Sequence, residues 1–323
     1  MKSLRRLIAA ACLFAACPCM AAGDWPERTI TLVHGFGAGG NADVIARIVA
    51  DRLSARLGQP VVVEPKTGAG GRIAAAHVAR APADGYTLLI FVGGYAVSAA
   101  LYEKLPYDTL DDFTYISGLT QIPFVLATYP DHPVKSVPDL IRTLSSSSKP
   151  MFYGTSGAGT TQHLSGALFA AMAKVNLQHV ASKGGTDVPN MLLGKHIDFV
   201  FETPTLTLEL VKSGKLRALG TTGSTRFFAL PDVPTIGETI AGYETSSWLG
   251  LNAPPKLPAD IVKRLNAEMT AILAEPEVVT KFQALGSVPY ASTPGAFKER
   301  VAADIGKWTK VVTEAGIKRL GSP

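Results

Sequence analysis

The residues with the chemical means to act in this chain are glycines, hydroxyls and carboxyls. The densest group is His34-Gly35-Phe36-Gly37-Ala38-Gly39-Gly40-Asn41. A second, Ser156-Gly157-Ala158-Gly159-Thr160-Thr161, adds hydroxyls to the same glycine pattern. Glycines let backbone N–H groups approach a ligand closely. Where such a turn opens a helix, the unpaired first-turn amides and the positive helix end favour an anion. Both stretches therefore predict an anion site, for phosphate or for carboxylate. Ser156, Thr160 and Thr161 can serve there as helix caps or as donors to a carboxylate. Glu202, after the apolar run Phe199-Val200-Phe201, is the best-placed carboxyl for a cleft role. Lys183 faces either that cleft or water.

Enzymatic chemistry finds less support. Gly35-x-Gly37-x-x-Gly40, with Glu64 closing the next apolar run, matches a dinucleotide fingerprint. Gly154-x-Ser156 begins a nucleophile elbow, but Ala158 stands where its second glycine belongs. The Gly-Lys pairs at 194, 214 and 306 are followed by His196, Leu216 and Trp308, so none is a phosphate-binding P-loop. The six histidines are scattered without metal-ligand spacing. His163, in the first turn after the second glycine loop, is a general base or a structural histidine. No catalytic residue, metal or cofactor is expected.

The elements that must hold these residues follow from periodicity. Thr29 to Val33 reads as a strand, and Val44, Ile45, Ile48, Val49 and Leu53 recur at helical spacing after the glycines. With Val61 to Val63, a helix from about Arg72 and a strand over Tyr86 to Val92, the start reads β-α-β-α-β. That order predicts a parallel sheet whose ligands lie beyond the strands' carboxyl ends, where loops 36–41 and 93–95 belong. Met151 to Thr155 followed by a helix from His163 repeats the unit, which predicts a second domain and a shared cleft. Ser136 is expected to cap a short helix, and two amphipathic helices over 258–273 and 295–315 cover the C-terminal part.

The totals bound the setting. The 323 residues suffice for two domains, and 47% hydrophobic with 18% charged residues fits a globular chain. Lys2, Arg5 and Arg6, the apolar Leu7 to Ala16 and small residues near Ala21 and Ala22 predict a cleaved secretory signal over 1–22. It holds all three cysteines, Cys12, Cys17 and Cys19, so no disulfide or thiol is expected in the mature chain. The net charge falls from +5 to +2 when those three basic residues leave, which gives no electrostatic footprint for nucleic acid. Export also weighs against a dinucleotide, a cytoplasmic currency.

Several signatures then occur in order: Phe36…Gly39-Gly40…Asp43…Ala46-Arg47, Leu57-Gly58-Gln59-Pro60-Val61-Val62-Val63-Glu64, Gly68-Ala69-Gly70-Gly71 and Asp84-Gly85-Tyr86-Thr87-Leu88-Leu89. They continue with Leu105-Pro106-Tyr107-Asp108, Tyr153-Gly154-Thr155-Ser156-Gly157-Ala158-Gly159-Thr160, Leu230-Pro231-Asp232-Val233-Pro234-Thr235 and Leu265-Asn266-Ala267-Glu268. Over essentially its whole mature length the chain resembles the Bug-type substrate-binding proteins of tripartite tricarboxylate transporters. The resemblance implies an α/β, two-domain periplasmic-binding-protein fold of the Venus flytrap, type II-like, kind. Each domain would be a mostly parallel sheet flanked by helices, with domain I over 23–121 plus 247–323 and domain II over 122–246. It implies a monomer in the periplasm that closes on a small carboxylate and then meets integral-membrane permease subunits. The carboxylate would be held by Phe36, Gly37, Ala38, Gly39, Gly40 and Asn41 on one lip. Ser156, Gly157, Ala158, Gly159, Thr160 and Thr161 would hold it on the other, often through ordered water, with Glu202 in the cleft. The family commonly has prolines where Gly37 and Ala38 stand, a tyrosine at Ser182 and an aspartate at Glu202. Two other expectations stand beside this one: a ligand sensor for a signalling partner, and a secreted dinucleotide-dependent enzyme.

Overall fold

A computed structural model describes residues 25–321 apart from 148 and 315. The expected signal peptide, with its cysteines, and Ser148 of the serine loop lie outside the described residues.

Apolar, β-branched runs form the strands and glycine turns separate them from helices. In chain order these are β1 (Ile30–His34), α1 (Asn41–Leu57), β2 (Val61–Pro65), α2 (Arg72–Val78), β3 (Thr87–Val92), α3 (Gly94–Leu101) and β4 (Thr114–Ile122). The chain continues through β5 (Val125–Thr128), α4 (Val137–Ser146), β6 (Met151–Thr155), α5 (Thr161–Ala173), β7 (Leu177–Ala181) and α6 (Asp187–Leu193). It then forms β8 (Phe199–Glu202), α7 (Pro204–Lys212), β9 (Arg217–Thr221) and β10 (Ser247–Ala253). Last come α8 (Ala259–Leu273), α9 (Pro276–Ala284), β11 (Val288–Pro289) and α10 (Pro294–Glu314). Ser136 caps α4 as expected, accepting the Asp139 N–H.

Two mixed sheets result, ordered β11-β4-β10-β3-β1-β2 and β7-β6-β8-β5-β9. Without the edge strand β11, both follow one plan. A first strand sits between the second and the third, and an antiparallel guest separates the third from the fourth. The guests are β10 and β5. Each enters its sheet as the chain crosses from the other, so the two sheets are linked twice, once after β4 and once before β10. The remaining strands of each plan run in one direction. That direction brings the carboxyl ends of β1 and β3 to one edge and those of β6 and β8 to the corresponding edge of the other sheet.

The second sheet is covered on both faces. Phe199 and Phe201 of β8 join Tyr153, Phe169 and Leu140 on one side, while Val200 joins Val188, Leu192 and Leu208 on the other. This is the period-two alternation of a strand buried twice. Glu202 closes β8 on the side of Val200. In the first sheet, Phe91, Tyr95, Phe113 and Trp248 pack ring on ring around β3 and β10, the Phe91 and Tyr95 centroids 4.7 Å apart. Tyr95 belongs to α3, a helix where the sequence predicts only a loop at 93–95. Its Tyr95, Ala96, Val97, Ala100 and Leu101 are all buried. A helix without a polar face lacks the amphipathic period that would announce it.

Candidate functional site

The first lip is built by β1, a glycine turn and α1. Gly39 takes a left-handed φ of 74°, and Gly40 caps α1 in an extended conformation. Asp43, three residues into the helix, reaches back with Oδ2 to accept the Gly39 N–H at 2.9 Å. Its Oδ1 lies 2.9 Å from Arg47 Nη2 and 3.2 Å from Nε2 of the buried His34. His34 Nδ1 in turn accepts the Phe36 N–H at 3.4 Å. Burial pulls the His34 pKa down, against the pull of Asp43, so the ring is neutral under this lip. Burial pushes the Asp43 carboxyl up, but hydrogen bonds from Arg47 and Gly39 outweigh it and hold the group below its ordinary value.

The second lip repeats the geometry with different side chains. Gly159 has a φ of 78°, and Thr160 caps α5 in an extended conformation. His163 occupies the position of Asp43, and its Nδ1 accepts the Gly159 N–H at 3.4 Å. Its ring centroid lies 4.1 Å from that of His179, whose Nε2 is 2.6 Å from Thr155 Oγ1. Burial pulls His163 down to about 4, and burial together with His163 pulls His179 down to about 3. The pair is therefore neutral at physiological pH, with His163 in a bracing position. Thr160 Oγ1 accepts the His163 N–H at 3.3 Å and donates to Gly157 O at 2.7 Å. Its single hydroxyl proton is thus committed to holding the turn.

Between the lips lies a narrow cavity of about 50 Å³. Phe36, Gly40 and Asn41 line it from one side; Ser156, Thr160 and Thr161 line it from the other, together with Glu202. Gly37, Ala38, Gly39, Gly157, Ala158 and Gly159 are not in its wall. Most of them touch the opposite lip or sheet. A methyl at Gly37 would fall 2.8 Å from Gly184 O, and one at Gly157 would fall 3.2 Å from Gly70 Cα. Ala158 O accepts from Arg72 Nη1 at 3.1 Å, and Gly159 O accepts from Ser98 Oγ at 3.0 Å. Arg72 is buried there with its guanidinium 3.9 Å over the Tyr102 ring. The lips therefore have an inner face toward the cavity and a rim that binds the two sheets together. Asn41 joins both, since its Oδ1 also accepts from Thr205 Oγ1 at 2.6 Å. Lys183 is exposed and outside the wall.

Glu202 is 1% exposed. It accepts the Ser156 hydroxyl at 3.0 Å, the Gln162 side-chain amide at 3.3 Å and the Thr203 N–H at 2.7 Å. Burial pushes its pKa up and these donors pull it back, with burial prevailing. Lysine, arginine and histidine are absent from the wall among the described residues. The positive character comes instead from backbone, because α1, α3 and α5 begin at the cavity, at Asn41, Gly94 and Thr161, and α7 is capped there by Thr203. First-turn amides have no intrahelical acceptor, and Thr161 Oγ1 is buried without a partner. Ala42, Gln162 and Thr203 also line the site and were missed in the sequence. Their place in the first turns or caps of α1, α5 and α7 is the signal that would have found them. Val92, Phe124 and Trp248 form the apolar wall, and nothing in the sequence separates them from core residues.

Two mixed α/β sheets linked by two crossings, with helix starts from both aimed into one cavity between them, have the arrangement of a two-domain solute-binding protein. The chain belongs to the tripartite tricarboxylate transporter receptor family, whose model matches residues 45–317. Protein BugT of Bordetella pertussis is 33% identical over 323 residues, covering 98% of this chain and 99% of that one. Among solved structures, R. palustris Rpa4515 with adipate superposes with a TM-score of 0.88 at 36% identity, over 92% of this chain and all of that one. The periplasmic binding protein BugD gives a TM-score of 0.88 at 31% identity over the same share of this chain. These are binding proteins and receptors, not enzymes, which leaves the dinucleotide reading of Gly35-x-Gly37-x-x-Gly40 without support.

Proposed function

We propose that this chain is a periplasmic receptor that captures a small carboxylated solute and hands it to membrane permease subunits of a tripartite tricarboxylate-type transporter. It would act as a monomer, exported by its 1–22 signal. Domain I (23–121 plus 247–323) and domain II (122–246) would hinge about the two crossings and close over the ligand. The observation that carries this reading is the convergence of the α1 and α5 amino termini on a cavity that, among the described residues, has no cationic side chain in its wall. Such a site holds a carboxylate through Asn41, Ala42, Thr161 and Gln162 amides and the spare Thr161 hydroxyl. The adipate in Rpa4515 supports the same ligand chemistry.

Calorimetry with short carboxylates, each paired with its methyl ester, tests the proposal. Binding of acids and loss of binding for esters is the expected result. Esters binding as tightly as acids would remove the helix-end clamp from consideration. Radiolabelled uptake by cells lacking the receptor, with and without the chain restored, tests delivery.

A further inference from the structure

The rim of the lips holds a charge that the cavity wall does not use. Arg72 opens α2 directly after the Gly68-Ala69-Gly70-Gly71 turn, on the side of the first sheet. It is 6% exposed. A guanidinium so buried ordinarily answers a carboxylate, because taking the charge out of water is costly. Here no carboxylate pairs with it among the described residues. Nη1 donates to Ala158 O of the second lip, the guanidinium lies over the Tyr102 ring, and Nε is buried without a partner. One carbonyl from across the cleft and one ring face therefore hold the whole charge.

The backbone on both sides is shaped for this contact. A methyl at Gly70, which has a left-handed φ of 64°, would fall 2.6 Å from Ala158 O. Only a glycine there lets the carbonyl come down to Arg72. The next carbonyl, Gly159 O, accepts from Ser98 Oγ of α3. Two successive carbonyls of one lip thus meet two donors from the opposite sheet, and none of the four residues lines the cavity. When the lips part, both carbonyls leave and water recovers the guanidinium. A charge-assisted bond set against the desolvation of its own charge leaves a modest net gain, which suits a catch that must release. Such a catch makes no contact with a ligand in the cavity, so it acts on the fraction of closed chain and not on ligand choice.

Building on the hinge closure proposed above, we infer that Arg72 is a positioning residue for capture. It latches the second lip shut through Ala158 O, so that closure, and with it affinity for every ligand, is set from outside the binding wall.

Distances between spin labels at Thr67→Cys and Lys183→Cys, measured by double electron–electron resonance, test the latch with no ligand added. Both positions are exposed beside the rim turns, and no cysteine follows Cys19 in the chain. Arg72→Ala should lower the ratio of short to long distances about tenfold, the equivalent of ~1.4 kcal/mol. Arg72→Lys keeps the charge but not the planar fork over Tyr102, and should lower the ratio by less. It decides the matter if Arg72→Ala does not fold, melting temperature being recorded for each variant. Gly159→Val, which collides with Tyr102 and Arg72, forces the rim open and marks the long distance. An unchanged ratio in the folded Arg72 variants, with Gly159→Val opened, would overturn the latch and leave hinge closure standing. A single long distance in every chain would also overturn the latch. A single short one, Gly159→Val included, would overturn the hinge motion itself, and the inference with it.

Discussion

The two lips make the same backbone by different means. Counted from the helix caps, Gly39 and Gly159 share a left-handed φ, Gly40 and Thr160 share the extended cap, and Asp43 and His163 each accept the glycine N–H from three residues into the helix. The strand ends correspond too, since His34 Nδ1 and Thr155 Oγ1 each accept the N–H two residues on. The first turn is one residue longer between strand and cap. Beneath the first lip the brace is ionic, an aspartate tied to Arg47 over a neutral histidine. Beneath the second it is an uncharged histidine pair. The amide geometry of a capped helix start is thus kept on both lips, whereas the props under it differ. They vary in a way that leaves the second lip more sensitive to acid.

The strongest way to break the equivalence is to load the paired glycines. A valine at Gly159 must add to its left-handed φ a collision with the Tyr102 ring and Arg72, where a methyl would already lie 2.7 and 2.9 Å away. Gly159→Val should prevent the lips from meeting and weaken ligand binding by about a hundredfold or more, the equivalent of ~2.7 kcal/mol. Gly39→Val meets only Thr186 Cγ2, 3.5 Å from the methyl position. It should cost only the left-handed strain, about 1–2 kcal/mol. Equal losses at the two positions, measured by calorimetry, would show that rim packing is not what separates the lips.

Removing the braces comes next. Asp43→Ala strips the first lip of a charge-assisted bond and should lower stability by about 2–3 kcal/mol in denaturant melts. His163→Asn keeps an acceptor near Gly159 N and should cost about 1 kcal/mol. A larger loss at His163 than at Asp43 would reverse the ranking of ionic and neutral props.

Acid should separate the lips in the size of their response. His163 and His179 have folded pKa values of about 4 and about 3, below the ordinary 6.5, so the unfolded chain binds more protons between those limits. Their contribution is whole above about pH 6.5 and is lost as pH falls, reaching roughly 2 kcal/mol per histidine by about pH 5. Asp43, held below its ordinary value, stays ionised over that window, so the first lip loses only what its single buried histidine, His34, contributes, against two histidines under the second. Melting temperatures taken across it should decline in the wild type and decline less in His163→Asn. Parallel curves would remove the histidine pair as the acid-sensitive element.

The smallest effect belongs to Thr160. With its proton on Gly157 O, Thr160→Val should lower stability by about 1 kcal/mol through the lost cap and scarcely change affinity. A tenfold loss of affinity at unchanged stability would make the hydroxyl a ligand donor instead.

Strand–glycine–helix units were legible because their signals are local. Alternation, helical period and turn glycines sit within a few residues of one another, so β1, α1, β6 and α5 could be read directly. Gly40, Asn41, Ser156, Thr161 and Glu202 were in reach for the same reason, being ends of readable elements. Helix α3 escaped because burial on every side erases its period. The division of the lip residues into cavity and rim escaped too, since it depends on what lies across the cleft. Gly37 meets Gly184, and Ala158 meets Arg72, partners 147 and 86 residues away along the chain.

By itself, then, the sequence determined most of the elements, the two glycine-rich helix starts and the family. Local sterics and hydrogen-bonding capacity dictate those turns wherever they occur. Only the tertiary structure decided that Thr160 spends its proton on its own loop, that His163 stacks on His179, and that Glu202 is sealed beside Ser156, Gln162 and Thr203 without a cation. Those outcomes depend on which groups long-range packing brings within three or four ångströms and on how much water it excludes. A residue's type and its neighbours in sequence do not encode either quantity.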